Sequence, residues 1–324
     1  MTPTPIFLLS LPRSGSTLVQ RVLAADPAVA TTPEPWVLLP QIYAMREEGV
    51  LSEYGQIPAS RAIRGFAARL PGGEDDYRSA LRAFALGLYA SASPPGARFF
   101  LDKTPRYHFI AEDLFDLFPD ARFVFLWRDP RAVVASIVET WGRGRWKVEP
   151  WRPDLFGGLD RLVAAFERHR DRAIAVRFED LVADPPGAWP SLFDHLGIVF
   201  DERVLEAFAD VDVEGRMGDR AGRLRYATLS AEPVTRWRAT VTNPFRKRWL
   251  RDYLDRIGVH RLATMGYDLD AMQRELDAVP VGMRSLGSDL ARSAYWRATT
   301  RRREAALERW TRRPASSRRT KGSS

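Results

Sequence analysis

Residues 7–23, FLLSLPRSGSTLVQRVL, place an apolar run, a turn of small and polar residues, and an amphipathic helical pattern end to end. That order leaves the chain little choice but a buried strand fed through a tight turn into a helix, the unit from which parallel sheets are assembled. Short apolar, β-rich runs then alternate with helical patterns. Strands are expected at Ile6–Leu11, Val29–Thr31, Arg98–Asp102, Arg122–Trp127 and Ala173–Phe178. Helices are expected at Thr17–Ala25, Trp36–Arg46, Asp75–Ala92, Tyr107–Leu117, Pro130–Trp141 and Leu155–Arg170. Beyond Phe178 the pattern is mostly helical, and Gly142–Pro153 reads as a loop over the sheet.

The turn itself is built for an oxyanion. Ser14, Gly15 and Ser16 let successive backbone N–H groups converge, and the helix near Thr17 adds the positive end of its dipole. Ser16 and Thr17 add hydroxyls, and Arg13 adds a permanent, planar, bidentate cation. The Lys of the ATPase motif G-x-x-x-x-G-K-S/T is absent. The expected fold class is therefore α/β: a P-loop-like three-layer sandwich with a central parallel sheet and a mostly helical C-terminal portion.

Composition removes several chemistries. With no cysteine there is no disulfide, thiol nucleophile or cysteine-held zinc. Four scattered histidines without H-E-x-x-H lead us to expect no metal site. The net charge of +8 is unevenly placed, because residues 292–324 hold eleven Arg or Lys against two Glu. The first 291 residues then hold 38 basic against 39 acidic side chains, a nearly neutral body. We therefore expect one domain over 1–291, followed by a basic tail over 292–324 with a helix-prone start and a disordered end. That tail suits anionic lipid or an acidic partner, while the body calls for no nucleic acid. No leader-like or spanning segment is visible, so the expectation is a cytoplasmic protein.

A second anion site is written in FVFLWRDPRAVVASIVETW. Arg128 ends a strand where open α/β sheets bind ligands, Pro130 suits the first helical turn, and Ser136 lies two turns further on. A plainer account pairs Arg128 with Asp129.

Together, PRSGST and the Arg128–Ser136 segment resemble the cofactor-binding elements of sulfotransferases that use 3′-phosphoadenosine 5′-phosphosulfate (PAPS). The resemblance covers roughly residues 5–265, with its specific motifs in the first 185. It implies that Arg13, Ser14, Gly15, Ser16 and Thr17 grip the phosphosulfate, and that Arg128 and Ser136 grip the 3′-phosphate. The Arg in the loop is similar to bacterial and tyrosylprotein enzymes; the cytosolic steroid and phenol enzymes carry Lys there.

Sulfo transfer needs a base for the acceptor proton and cations on the sulfo oxygens. Glu34, in TTPEPW, follows the loop by one helix and one short strand, which returns it to the carboxyl edge of the sheet. Pro33 and Pro35 restrict its backbone. By resemblance it is the catalytic base; by the plainer account it stabilises the start of helix Trp36–Arg46. Lys103, in FFLDKTPRYHF, emerges from a strand end and by resemblance assists the leaving group; a surface pair with Asp102 is the alternative. His108 is a backup base. Arg216, in GRMGDRAGR, stands where the cytosolic enzymes carry a nucleotide-covering loop, but Val213 and Glu214 replace that loop's Arg and Lys.

The reading is a PAPS-dependent sulfotransferase acting on a hydroxyl, or secondarily an amine, of a small molecule or glycan. Two others stay open at this point. One is a P-loop-type kinase, which needs the missing Lys. The other is a non-catalytic anion- or nucleic-acid-binding protein acting through the tail.

Overall fold

The structure, a computed structural model, describes residues 2–213, 230 and 232–311. Five strands form one parallel sheet: β1 (Thr4–Ser10), β2 (Val29–Thr31), β3 (Phe99–Asp102), β4 (Arg122–Trp127) and β5 (Ala173–Arg177). Their order across the sheet is β2-β3-β1-β4-β5. The chain completes β2 and β3 on one side of β1, then crosses to β4 and β5 on the other. This reversal makes the carboxyl end of β1 the switch point of the sheet, the place where ligands of such sheets bind.

The period-two alternation of a strand divides the core into two layers. Ile6 and Leu8 face one side, with Leu101, Val124 and Leu126, and are covered by α1 (Ser16–Ala24) and by α8 (Phe178–Ala183) and α9 (Pro185–Leu196). Phe7 and Leu9 face the other side with Phe100, Phe123 and Phe125. That side is covered by α4 (Glu74–Ala92), α5 (Ala111–Leu117), α6 (Pro130–Thr140) and α7 (Leu159–Arg168). The expected three-layer sandwich is thus the one observed. Phe7 stacks on Phe123 at 5.6 Å and Phe115 on Phe123 at 3.7 Å, so rings fill the layer that carries most of the helices.

The helices differ from expectation where local chemistry overrides the pattern. The helix expected at Trp36–Arg46 is shortened to α2 (Leu38–Tyr43), because Trp36 takes a left-handed φ of 58° that no α-helix accommodates. A further helix, α3 (Gln56–Ala67), is hidden in the sequence by Pro58 and Gly65. Pro58 sits in the first turn, where the missing N–H costs nothing. Gln56 of that turn donates to the carbonyls of Tyr43 and Arg46, both at 2.8 Å, and so terminates α2. Ahead of α7 the expected helix begins as a π-helical turn, Pro153–Gly158.

The C-terminal portion is helical, as Pro244–Thr264, Leu269–Asp277 and Leu286–Thr311. The last runs through position 292, where the composition turns basic. It is seated by Asp289, fully buried, which accepts from Arg246 at 2.7 Å and from Asn243 at 3.0 Å. Among the described residues no helix is long and apolar enough to cross a membrane.

Candidate active site

All five strands end at one edge, and the loops leaving them carry nearly every residue singled out above. After β1, Arg13 adopts a left-handed φ of 70°, and Gly15, which caps α1, has φ 87°. Arg13 is not glycine, so this geometry costs roughly 1–3 kcal/mol unless its surroundings hold it. They do. The guanidinium of Arg128 donates to the Arg13 carbonyl at 2.9 Å. The Arg13 side chain donates to Ser136 Oγ and Thr140 Oγ1, each at 3.2 Å, and packs over Trp141 at 5.6 Å.

The loop after β1 and the second anion segment are therefore one constellation: Arg13, Arg128 and Ser136 meet directly. Thr140 joins them from one turn further along α6, a position the motif spacing did not single out. Arg128 is buried, with its guanidinium 4.5 Å over the Phe178 ring. The plainer pairing with Asp129 is not what the fold uses, because that carboxylate caps α6 and binds Arg131 at 2.7 Å.

Gly15 closes against the same ring. A Cβ added there would lie 2.3 Å from a Phe178 ring carbon, in a φ region that L side chains rarely adopt. Gly15→Ala should therefore destabilise the fold by about 1–3 kcal/mol, through overpacking and backbone strain. Denaturant unfolding measures this; a variant as stable as the parent would mean that the loop does not pack on Phe178. Ser14 and Ser16 are buried beside Gly15, while Thr17 is half-buried in the first turn of α1.

On the other side of β1, Glu34 and Lys103 form an ion pair of 2.8 Å, with side chains 11% and 2% exposed. The other Glu34 oxygen accepts from the Trp36 indole N–H at 3.3 Å. Because α2 begins only at Leu38, Glu34 lies outside its first turn, and the helix-start account of this carboxylate does not describe the structure. Lys103 points to Glu34, not to Asp102. Asp102 turns inward, fully buried, and accepts from Tyr89 OH at 2.6 Å, Tyr107 OH at 3.0 Å and Thr104 Oγ1 at 2.9 Å.

Burial pushes the Asp102 carboxyl up to about 6, against the pull of three hydroxyls and of the Lys103 charge. The folded protein holds this proton more tightly than an unfolded chain, whose carboxyl titrates near 4. The resulting stabilisation is complete below about pH 4 and is lost as the pH rises through about 6. Unfolding melts across that window should show stability falling, and Asp102→Asn should remove that part of the slope. An unchanged slope in the variant would assign the titration to another group.

His108, the backup base, lies in the core. Its Nε2 is 2.9 Å from Asp154, burial lowers its pKa, and Gly158 packs against its ring. Glu179 accepts from the Asp129 amide at 3.0 Å and from Tyr267 OH at 2.6 Å, bracing the start of α6 against the C-terminal helices. Arg216 and its loop lie outside the described residues. So does the end of the basic tail, 312–324. Among the described residues no group of His, Asp or Glu side chains is arranged to hold a metal ion.

Residues 5–202 match the model of the sulfotransferase family. Nodulation protein NoeE of Sinorhizobium fredii is 28% identical over 312 residues, covering 86% of this chain and 70% of that protein. The protein-tyrosine sulfotransferase of Drosophila melanogaster is 32% identical over 205 residues, which is 62% of this chain but only 39% of its own length. Among solved structures, the sulfotransferase domain from the curacin biosynthetic pathway shares the fold with a TM-score of 0.53 at 23% identity. It covers 78% of this chain and 98% of that domain. The sulfotransferase domain of the Synechococcus PCC 7002 olefin synthase gives 0.50 at 24% identity, over 82% and 96%. The family match covers the strand-ending loops that carry Arg13, Glu34, Lys103 and Arg128, and the chain belongs to the sulfotransferase family.

Proposed function

We propose that the chain transfers a sulfo group from PAPS to a hydroxyl, with an amine as the secondary acceptor, of a small molecule or glycan. The observation that carries this reading is the contact of the Arg13 guanidinium with Ser136, together with that of Arg128 with the Arg13 carbonyl. A donor bearing phosphate at both ends of its ribose needs two anion sites a few ångströms apart, and these contacts support that reading by bringing the residues proposed for each site together.

Arg13 and the backbone amides of Gly15, Ser16 and Thr17 bind the 5′ end, at a helix start whose first amides have no intrahelical partner. Arg128 and Ser136 bind the 3′-phosphate. Arg13 spans both through Ser136 and Thr140, so it orients the donor as well as neutralising it. Gly15 packs the loop backbone against Phe178, where any side chain would collide, and this close approach supports the turn that presents these amides. PAPS supplies an activated sulfo group with phosphate as its leaving group.

Glu34 takes the acceptor proton. Its two oxygens each accept one hydrogen bond, from Lys103 and from Trp36, and a carboxylate oxygen has a second lone pair for an incoming hydroxyl. Lys103 is placed to shield the charge of this carboxylate and to meet negative charge developing on the sulfo oxygens. Transfer of label from [35S]PAPS to hydroxyl acceptors, with ATP and Mg²⁺ run in parallel, tests the assignment. Sulfated product and released 3′,5′-ADP support it; phosphoryl transfer from ATP without sulfo transfer overturns it.

A further inference from the structure

We propose that Asp102 is a positioning residue for the sulfo-transfer site: through Thr104 and Tyr107 it holds the backbone that presents Glu34. The proposal rests on the reading of Glu34 as the base. Asp102 is the last residue of β3, and Lys103 follows it directly. Its Oδ1 accepts from Thr104 Oγ1, and its Oδ2 accepts from Tyr107 OH and Tyr89 OH. Thr104 Oγ1 in turn accepts the Trp36 amide N–H at 3.3 Å, and Tyr107 OH accepts the Leu38 amide N–H at 3.2 Å. These are the amides two and four residues beyond Glu34. One buried carboxylate therefore reaches both by two separate bridges.

The hydrogen directions make the bridges depend on the carboxylate. An ionised carboxylate only accepts, so each hydroxyl spends its single hydrogen on Asp102 and keeps its lone pairs for a backbone amide. In that arrangement each hydroxyl hydrogen is anchored on Asp102 while its oxygen keeps a lone pair turned to an amide. An amide or protonated acid at 102 can itself donate, which turns one hydroxyl round and leaves its hydrogen to seek another acceptor.

The held segment needs such support. Trp36 has φ 58°, an outlier for a bulky side chain, and no helix residue supplies that geometry by default. Its indole donates to Glu34 Oε2, so the direction of the ring and the direction of the carboxylate are set together. From the other side, Lys103 Nζ binds Glu34 Oε1, and Lys103 is placed by the same strand end. Both hydrogen bonds that orient Glu34 thus trace back to residues 102–107. Tyr89, donating from α4 to the same oxygen as Tyr107, adds a third hydrogen bond that ties the carboxylate to the helical layer.

The test is Thr104→Val, which removes one bridge at nearly constant volume, with Thr104→Ser as the variant that keeps the hydroxyl and Tyr107→Phe as the second bridge. Displacing a reacting group by about 1 Å costs on the order of 10²-fold in rate. We expect kcat to fall by roughly that factor in Thr104→Val and in Tyr107→Phe, with KM for PAPS and affinity for 3′,5′-ADP unchanged. Thr104→Ser should restore kcat. Retained kcat in both bridge variants overturns the proposal, as does a loss that serine fails to restore or that appears equally in PAPS affinity, since those results describe a structural hydroxyl. Glu34→Gln, assayed alongside, separates the two levels. Normal turnover there removes the base assignment itself, whereas loss there with normal turnover in Thr104→Val and Tyr107→Phe removes only the positioning role.

Discussion

Glu34→Gln should lower turnover by about 10²–10⁴-fold, the usual contribution of general-base catalysis, while affinity for 3′,5′-ADP stays close to that of the parent. The separation follows from the geometry. Glu34 and its partners Lys103 and Trp36 belong to the loops after β2 and β3, whereas Arg13 and Arg128 belong to the loops after β1 and β4, and Ser136 to α6. The amide retains one oxygen that can accept from Lys103, so the buried ammonium keeps a hydrogen-bond partner. Losing the carboxylate charge still weakens the pair, and breaking a buried ion pair outright costs about 3–5 kcal/mol. Glutamine, not alanine, is therefore the informative replacement. Single-turnover kinetics with a saturating acceptor, beside a melting curve, reads both effects. Turnover within a few-fold of the parent would remove Glu34 from the chemistry.

Arg128→Ala should weaken 3′,5′-ADP binding by roughly 10–100-fold, since a hydrogen bond to a charged group contributes about 1.5–3 kcal/mol. Two losses combine in it. A cation at the proposed 3′-phosphate site disappears, and the Arg13 carbonyl loses the donor that supports a left-handed turn. Arg128→Lys should recover little, because an ammonium neither lies flat over Phe178 nor offers a planar fork. Arg13→Ala should also weaken binding and, unlike Arg128→Ala, should reduce kcat, since Arg13 lies at the proposed sulfo end. Isothermal titration of each variant checks the ranking. Full affinity in Arg128→Ala would mean that this guanidinium serves only to brace the loop.

Much of this was legible in the sequence, and its limits have physical causes. The five strands were readable because each is a short apolar run that ends in, or is followed directly by, a polar or charged residue, and β2 and β4 fall where the pattern places them. The fold class followed from their alternation with helices. The pairing of Glu34 with Lys103 was not readable, because it joins residues 69 apart through the register of β2 beside β3. The alternative that paired Asp102 with Lys103 at the surface rested on strand ends being usually wet; the hydroxyls of Tyr89, contributed by α4, and of Tyr107 hold this carboxylate inward instead. Trp36 reads as a helix residue from its neighbours, and in its left-handed conformation its amide donates to Thr104, far along the chain. Thr140 and the Trp141 ring carry no motif at all. They become part of the site because Arg13 leans across α6 to reach them.

The most direct test of the central claim is calorimetric titration of the protein with 3′,5′-ADP, with ATP and Mg²⁺ as the comparison. A loop without the ATPase lysine, joined to the proposed 3′-phosphate site, predicts a saturable one-to-one isotherm for 3′,5′-ADP that weakens in Arg13→Ala and Arg128→Ala, and much weaker binding of ATP. Absence of 3′,5′-ADP binding, or binding indifferent to both arginines, would contradict it.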